Sequence, residues 1–415
     1  MLYALHDLHR KSLAPVAALA RLASESLLAA ETRYPIATPA VRPAEAAFSV
    51  LHRIARAYDR PAFSITSVEK RGSALPVDER VVHESPFCRL VSFDRSPAGS
   101  VTADELASEP HILLVAPLSG HYATLLRETV RTLLQSHNVT VTDWANARDV
   151  PLSFGTFSLD DYVLHLQHAL RTLGAANVHV LAVCQPAVPV LAAVSLMATQ
   201  GEPTPRSMTL MGGPIDVRIR PAAVSDFATR HDIAWFERNL LHRVPRGYAG
   251  HGRLVYPGFL QLSAFVGMNA GRHFEAHVDY GLALLARDVD AASEHERFYD
   301  EYNAVLDLDA PYYLDTVRTV FQEALLPRGA WRVAGSLVRP ADIRTTALMT
   351  VEGALDDLAT LGQTEAAHAL CTGLAEEKRQ HFVAAGCGHY GLFSGRRWRE
   401  DIAPRISAFI RTQEG

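Results

Sequence analysis

The chain has 415 residues, 48% of them hydrophobic and 20% charged, and a formal net charge of -5. This supplies apolar material for a large core, while the acidic balance and the absence of a basic stripe argue against nucleic acid as a partner. Four cysteines, Cys88, Cys184, Cys371 and Cys387, are too sparse for a disulfide-built fold and match no metal-binding spacing, so reduced thiols are expected.

Asp7, Arg10 and Lys11 interrupt the apolar N-terminal stretch, so neither a secretory signal nor a membrane span is expected and the cytoplasm is the expected compartment. Leu13, Val16, Leu19 and Leu22 recur at helical spacing. Residues 1–108 are therefore expected to form an N-terminal helical arm and lead-in segment packed on the core, with binding of an apolar surface as a second use for that face. RYPIATPAVRP and SPAGS mark turns within it.

From residue 111 the pattern changes. HILLVAPL, NVTVTDW, NVHVLAV and SMTLMGG read as strands, separated by the helical stretches SGHYATLLRETVRTLLQS, LDDYVLHLQHALRTLG and AVPVLAAVSLMATQ. The alternation returns with IRTTALMTVEG, a helix over QTEAAHALCTGL, the strand KRQHFVAAG and a final helix near WREDIAPRISAFI. Continuously apolar strands predict a mainly parallel sheet covered by helices on both faces. The expected fold is α/β and α/β-hydrolase-like, with residues 109–213 and 343–415 forming the core. Residues 214–342 lack clean strand signals and are rich in aromatics, so they are expected to be an inserted, mostly helical cap or substrate-binding segment.

Cys184 ends NVHVLAV and precedes an apolar helix, the strand–nucleophile–helix order of a hydrolase elbow. The pentapeptide AVCQP has Ala182 and Pro186 where glycines usually relieve crowding. Proline nevertheless suits a first helical turn. A nucleophile needs a base and the base an orienting group. His389 lies in the Gly-rich loop after HFVAAG, and Asp356 and Asp357 lie just beyond TTALMTVEG. Asp356 is preferred because it stands three residues past Gly353, and Cys387 is a weaker rival for the nucleophile because no strand and helix flank it. The order Cys184, Asp356, His389 is that of a hydrolase triad. Oxyanion donors are expected from the backbone N–H of Gln185 and from Leu118 or Ser119, in the loop leading to His121.

Together, PLSGHY, VCQPA, TVEGALDD and AGCGHYG resemble the intracellular polyhydroxyalkanoate, or poly(3-hydroxybutyrate), depolymerases over nearly the whole chain. The resemblance implies a cysteine nucleophile at Cys184 with Asp356 and His389, ester hydrolysis at polymer granules in the cytoplasm, and neither metal nor organic cofactor. The implied partner is the polyhydroxyalkanoate granule surface, held in part by aromatics such as Trp235, Phe236, Tyr256 and Phe259 where these are exposed. Acyl transfer by a polyester synthase, thioester hydrolysis and noncatalytic granule binding are the competing functions.

Overall fold

The computed structural model describes residues 2–33, 38–268 and 270–414. Its central sheet contains β1 (Ser67–Lys70), β2 (Ser73–Glu84), β3 (Cys88–Arg95), β4 (His111–Val115), β5 (Asn138–Trp144), β6 (Val178–Val183), β7 (Ser207–Met211), β8 (Ala347–Gly353) and β9 (Arg379–Ala384). They lie in the order β1-β2-β3-β5-β4-β6-β7-β8-β9. The pairs from β1 to β5 across β2 and β3 are antiparallel; every later pair is parallel. Apart from the extra edge strand β1, this is the strand exchange and antiparallel second strand of an α/β-hydrolase.

The apolar runs explain the centre of the sheet. Every residue of β6, β7 and β8 is buried, as a strand covered on both faces requires. The helix Ala187–Thr199 is buried on nearly all sides beneath it. The helix Leu159–Leu173 is started by a Ser158–Asp161 capping box and stopped at Gly174, which has a φ of +77°.

Three expectations change. Residues 67–95, assigned to the lead-in, form β1–β3 and extend the core sheet. QTEAAHALCTGL is mostly turn, with only Ala367–Leu370 helical, because the Glu352 carboxylate accepts the N–H groups of Gly362, Thr364 and Glu365 and holds the segment as a loop. β9 is an edge strand and is partly exposed along most of its length, so it is not apolar throughout.

Between β7 and β8 the chain forms the expected, mainly helical insert. Its longer helices are Gly258–Met268, Ala270–Ala286 and Val289–Tyr302. A small sheet of Leu308–Asp309, Leu254–Tyr256 and His242–Arg243 runs through it. Arg253 fastens this insert to the core: buried, it donates to Asp309 at 2.9 Å and to the carbonyls of Val150, Pro151 and Gly155.

The N-terminal helices Leu2–Arg33 and Thr38–Ala55 pack on each other and are tied mainly to the insert, with Tyr3 also packed on Ala147 of the core. Tyr3 Oη donates to Asp307 Oδ2 at 2.5 Å, Arg53 donates to Asp300 at 2.7 Å, and Arg287 donates to Glu45 at 2.8 Å. Tyr3, Ala17 and Ala20 make the buried side of the first helix, whereas Leu5, Leu8, Leu19 and Leu22 are 60%, 64%, 68% and 54% exposed. Of the face read from the sequence, Leu13 is half-buried and Val16, Leu19 and Leu22 face outward. Leu2–Arg33 is also long and apolar enough to cross a membrane by length and composition alone.

Candidate active site

The parallel register brings the C-terminal ends of β4, β6, β7, β8 and β9 level: Val115 pairs with Ala182, Val183 with Met211, Met211 with Val351, and Gly353 with Ala384. The loops leaving these ends carry Leu118, Cys184, Gly212, Asp356 and His389. Residues far apart in sequence thereby converge at one edge of the sheet.

Cys184 has a φ of +69°, the left-handed conformation expected of a sharp elbow and costly for a side chain other than glycine. Its N–H donates to the Met211 carbonyl at 2.7 Å, its carbonyl accepts from Ala187 at 3.0 Å, and Ala187 begins the following helix. The thiol is half-buried. Pro186 occupies the N-cap, where its missing N–H deprives no helical carbonyl. The crowding that the missing elbow glycines would have relieved is relieved from the neighbouring strand. A Cβ on Gly213 would lie 2.2 Å from Ala187 Cβ and 2.9 Å from the Cys184 carbonyl oxygen. MGG at the end of β7 is the sequence signal for this close approach, and it was not read as part of the elbow.

His389 and Asp356 are both buried, and His389 Nδ1 donates to Asp356 Oδ2 at 2.7 Å. Asp356 Oδ1 accepts the N–H groups of Leu358 and Ala359, each at 2.9 Å, which fixes the carboxylate in the turn. Burial alone would lower the His389 pKa; the charges of Cys184 and Asp356 and hydrogen bonding to both outweigh it and hold the imidazole well above its ordinary value. The imidazole is therefore bound to the carboxylate through Nδ1 and lies within electrostatic reach of the Cys184 thiol. Gly212, with a φ of +58°, leaves them room: a Cβ there would stand 2.8 Å from Leu392 Cδ1 and 3.4 Å from both Asp356 Oδ2 and His389 Cε1.

The alternatives lie elsewhere. Asp357 is exposed beside the paired Asp356. Cys387 is buried, which pushes its thiol pKa up, and its Sγ–H points to the Gly388 carbonyl at 3.4 Å. His121 is buried, its pKa lowered to about 4 by burial, and its Nε2 bonds the Tyr302 carbonyl at 3.1 Å; it links the early loop to the insert. Gln185 opens the turn into the helix after Cys184, where the first N–H groups have no intrahelical partner, and Leu118 and Ser119 follow β4.

The named aromatics serve mainly in packing. Phe236 is buried with Ala228 and Val317, and Tyr256 is buried and stacked on Tyr313 at 4.1 Å. Trp235 stacks on His231 and Phe259 on His6, both half-buried. Glu352, Glu365 and His381 form a separate group whose ligand atoms lie within 4.8 Å of one another, although Glu352 already accepts three backbone N–H groups.

Residues 212–414 match the family model described as PHB de-polymerase C-terminus. The match includes the insert, Asp356 and His389 and begins after Cys184. No curated protein matches the chain significantly. Similar solved structures include 2-hydroxy-6-oxo-6-phenylhexa-2,4-dienoate hydrolase from Rhodococcus sp. strain RHA1, 11% identical with a TM-score of 0.43, covering 82% of this chain and 99% of that one. A putative lipase from Acinetobacter baumannii AYE is 10% identical with a TM-score of 0.43, covering 82% and 93%. A thermophilic esterase from Thermogutta terrifontis is 13% identical with a TM-score of 0.42, covering 84% and 98%. Residues 212–414 thus resemble the PHB de-polymerase C-terminus family, and they sit in a chain whose central sheet has the α/β-hydrolase strand order.

Proposed function

We propose that the protein hydrolyses polyhydroxyalkanoate, with amorphous poly(3-hydroxybutyrate) granules in the cytoplasm as its substrate, through an acyl thioester on Cys184. The observation that carries the reading is the placement of Cys184 at a left-handed elbow beside the buried His389–Asp356 pair, in a chain whose residues 212–414 match the depolymerase family model.

In this mechanism His389 takes the Cys184 proton, and Asp356 stabilises the resulting imidazolium. The thiolate attacks an ester carbonyl. Negative charge then develops on the carbonyl oxygen, where the Gln185 N–H and a donor from Leu118 or Ser119 stabilise it. Collapse of the tetrahedral intermediate breaks the carbon–oxygen bond, and His389 returns a proton to the departing alcohol. Water activated by His389 next attacks the thioester, releasing a hydroxyacid or shorter polymer and restoring the thiol.

An insoluble substrate also needs a surface that can meet it. Leu5, Leu8, Leu19 and Leu22 on the first helix supply an exposed apolar stripe suited to an uncharged polyester granule.

The test is acid release from amorphous poly(3-hydroxybutyrate) granules by the wild-type protein and by Cys184→Ala, with granule binding recorded in the same samples. Release by the wild type alone, with binding by both, is expected. Binding by both without release contradicts hydrolysis and favours a granule scaffold.

A further inference from the structure

The loop after β4 is held by two different parts of the molecule. On the core side, Ala116 N–H donates to Thr142 Oγ1 at 2.9 Å and Trp144 Nε1 donates to the Ala116 carbonyl at 2.8 Å. On the insert side, Leu306 N–H donates to the Gly120 carbonyl at 2.8 Å. Leu118 lies between these anchors, and the Tyr312 hydroxyl donates to its carbonyl at 2.8 Å.

Tyr312 belongs to the insert helix Ala310–Thr316 and is 1% exposed. Its ring meets Tyr162 edge-on, with centroids 5.7 Å apart, and lies tilted against Phe157 at 5.9 Å. Ring packing therefore fixes the position of the hydroxyl, and the hydroxyl in turn fixes the Leu118 carbonyl. Because a trans peptide is planar, with its C=O and N–H on opposite sides, this bond also sets the direction of the Ser119 N–H and limits rotation about Leu118. Burial holds the Tyr312 phenol in its protonated, donating form.

We propose that Tyr312 is a positioning residue of the oxyanion hole: from the insert, its hydroxyl orients the Leu118–Ser119 peptide that provides the donor opposite Gln185. The inference rests on acyl transfer at Cys184 as read above and adds that the insert completes the catalytic geometry. Without the hydroxyl, the Leu118 carbonyl is left buried without this donor and the peptide is free to turn. The loss falls on the tetrahedral intermediate, where the oxygen charge develops.

Tyr312→Phe keeps the packed ring and removes only the hydroxyl. Acylation of Cys184 by a soluble p-nitrophenyl butyrate probe, followed as a burst, is expected to slow roughly 10- to 100-fold with KM nearly unchanged, somewhat less than the loss of a whole oxyanion donor. Alkylation of Cys184 by iodoacetamide is expected to keep its wild-type rate, because that displacement creates no carbonyl oxyanion. An unchanged burst overturns the proposal. Equal slowing of acylation and alkylation also overturns it, since a general disturbance of the thiol and imidazole has that effect. Wild-type protein that acylates with the probe but releases no acid from polymer removes the depolymerase reading and leaves this inference standing. Wild-type protein that alkylates but neither turns over the probe nor releases acid from polymer overturns both.

Discussion

Asp356→Asn tests the orientation of His389 with almost no change in volume. In the native site, Asp356 uses Oδ1 for two backbone N–H groups and Oδ2 for His389 Nδ1. An asparagine must keep its oxygen on the backbone pair, because turning its NH2 toward those donors would cost roughly 1–3 kcal/mol for each buried group left unpaired. Its amide nitrogen then faces Nδ1 and requires an acceptor there. The imidazole proton shifts to Nε2, the position needed to receive the Cys184 proton. The same carboxylate-to-amide change in a serine triad lowers kcat by about 10⁴, equivalent to about 5 kcal/mol in the barrier. We expect a loss approaching that size in the acylation rate with a soluble ester. The pH profile supplies a second readout. Because Asp356 helps hold the His389 pKa above its ordinary value, the imidazolium persists as pH rises, and activity that depends on it is lost only when that proton leaves. In Asp356→Asn the alkaline limb is expected to move to lower pH. Activity within tenfold of wild type, with an unmoved alkaline limb, would refute this account of the pair.

The remaining predictions concern space, anchoring and surface. Gly212→Ala should lower kcat at least about tenfold and destabilise the fold by roughly 1–3 kcal/mol, because it adds both a left-handed penalty and a close contact with Leu392; ester turnover and urea unfolding measure the two effects. Arg253→Met should cost about 3–5 kcal/mol by leaving buried Asp309 without its cation, and limited proteolysis should cut the insert faster than in the wild type. Replacing Leu5, Leu8, Leu19 and Leu22 with glutamine should weaken binding to amorphous granules while leaving turnover of a soluble ester within about twofold, since exposed positions contribute little to the fold.

Much of the core was legible because the central strands are buried on both faces and their composition has to be continuously apolar. The run VHVLAV into Cys184 and the run ALMTVEG before Asp356 come near that character, interrupted by His179, Thr350 and Glu352, which are buried too. The edges were harder to read. In β2, SALPVDERVVHE mixes charges with valines because much of it is exposed, so the run does not announce a core strand. The packed face of the first helix is hidden for a related reason: Ala17 and Ala20 make its buried side, while larger leucines face outward. At the site, the strand-end positions of Cys184, Asp356 and His389 are legible in the sequence, and in the fold His389 bonds Asp356 while Asp357 is exposed. The tie from Tyr312 to Leu118 is not legible there, since it joins residues 194 positions apart and depends on how the insert folds back. The role of Gly213 likewise depends on β7 lying beside β6, so the AVCQP motif looked more crowded than the folded elbow is.

The most direct test of the central claim is rapid quenching of the wild-type protein during turnover of amorphous poly(3-hydroxybutyrate), followed by peptide mass spectrometry. The account predicts a transient hydroxybutyryl adduct on the peptide containing Cys184, absent before polymer is added and lost as acid appears. Acid release at the full rate with no adduct on Cys184 at any quench time would contradict it.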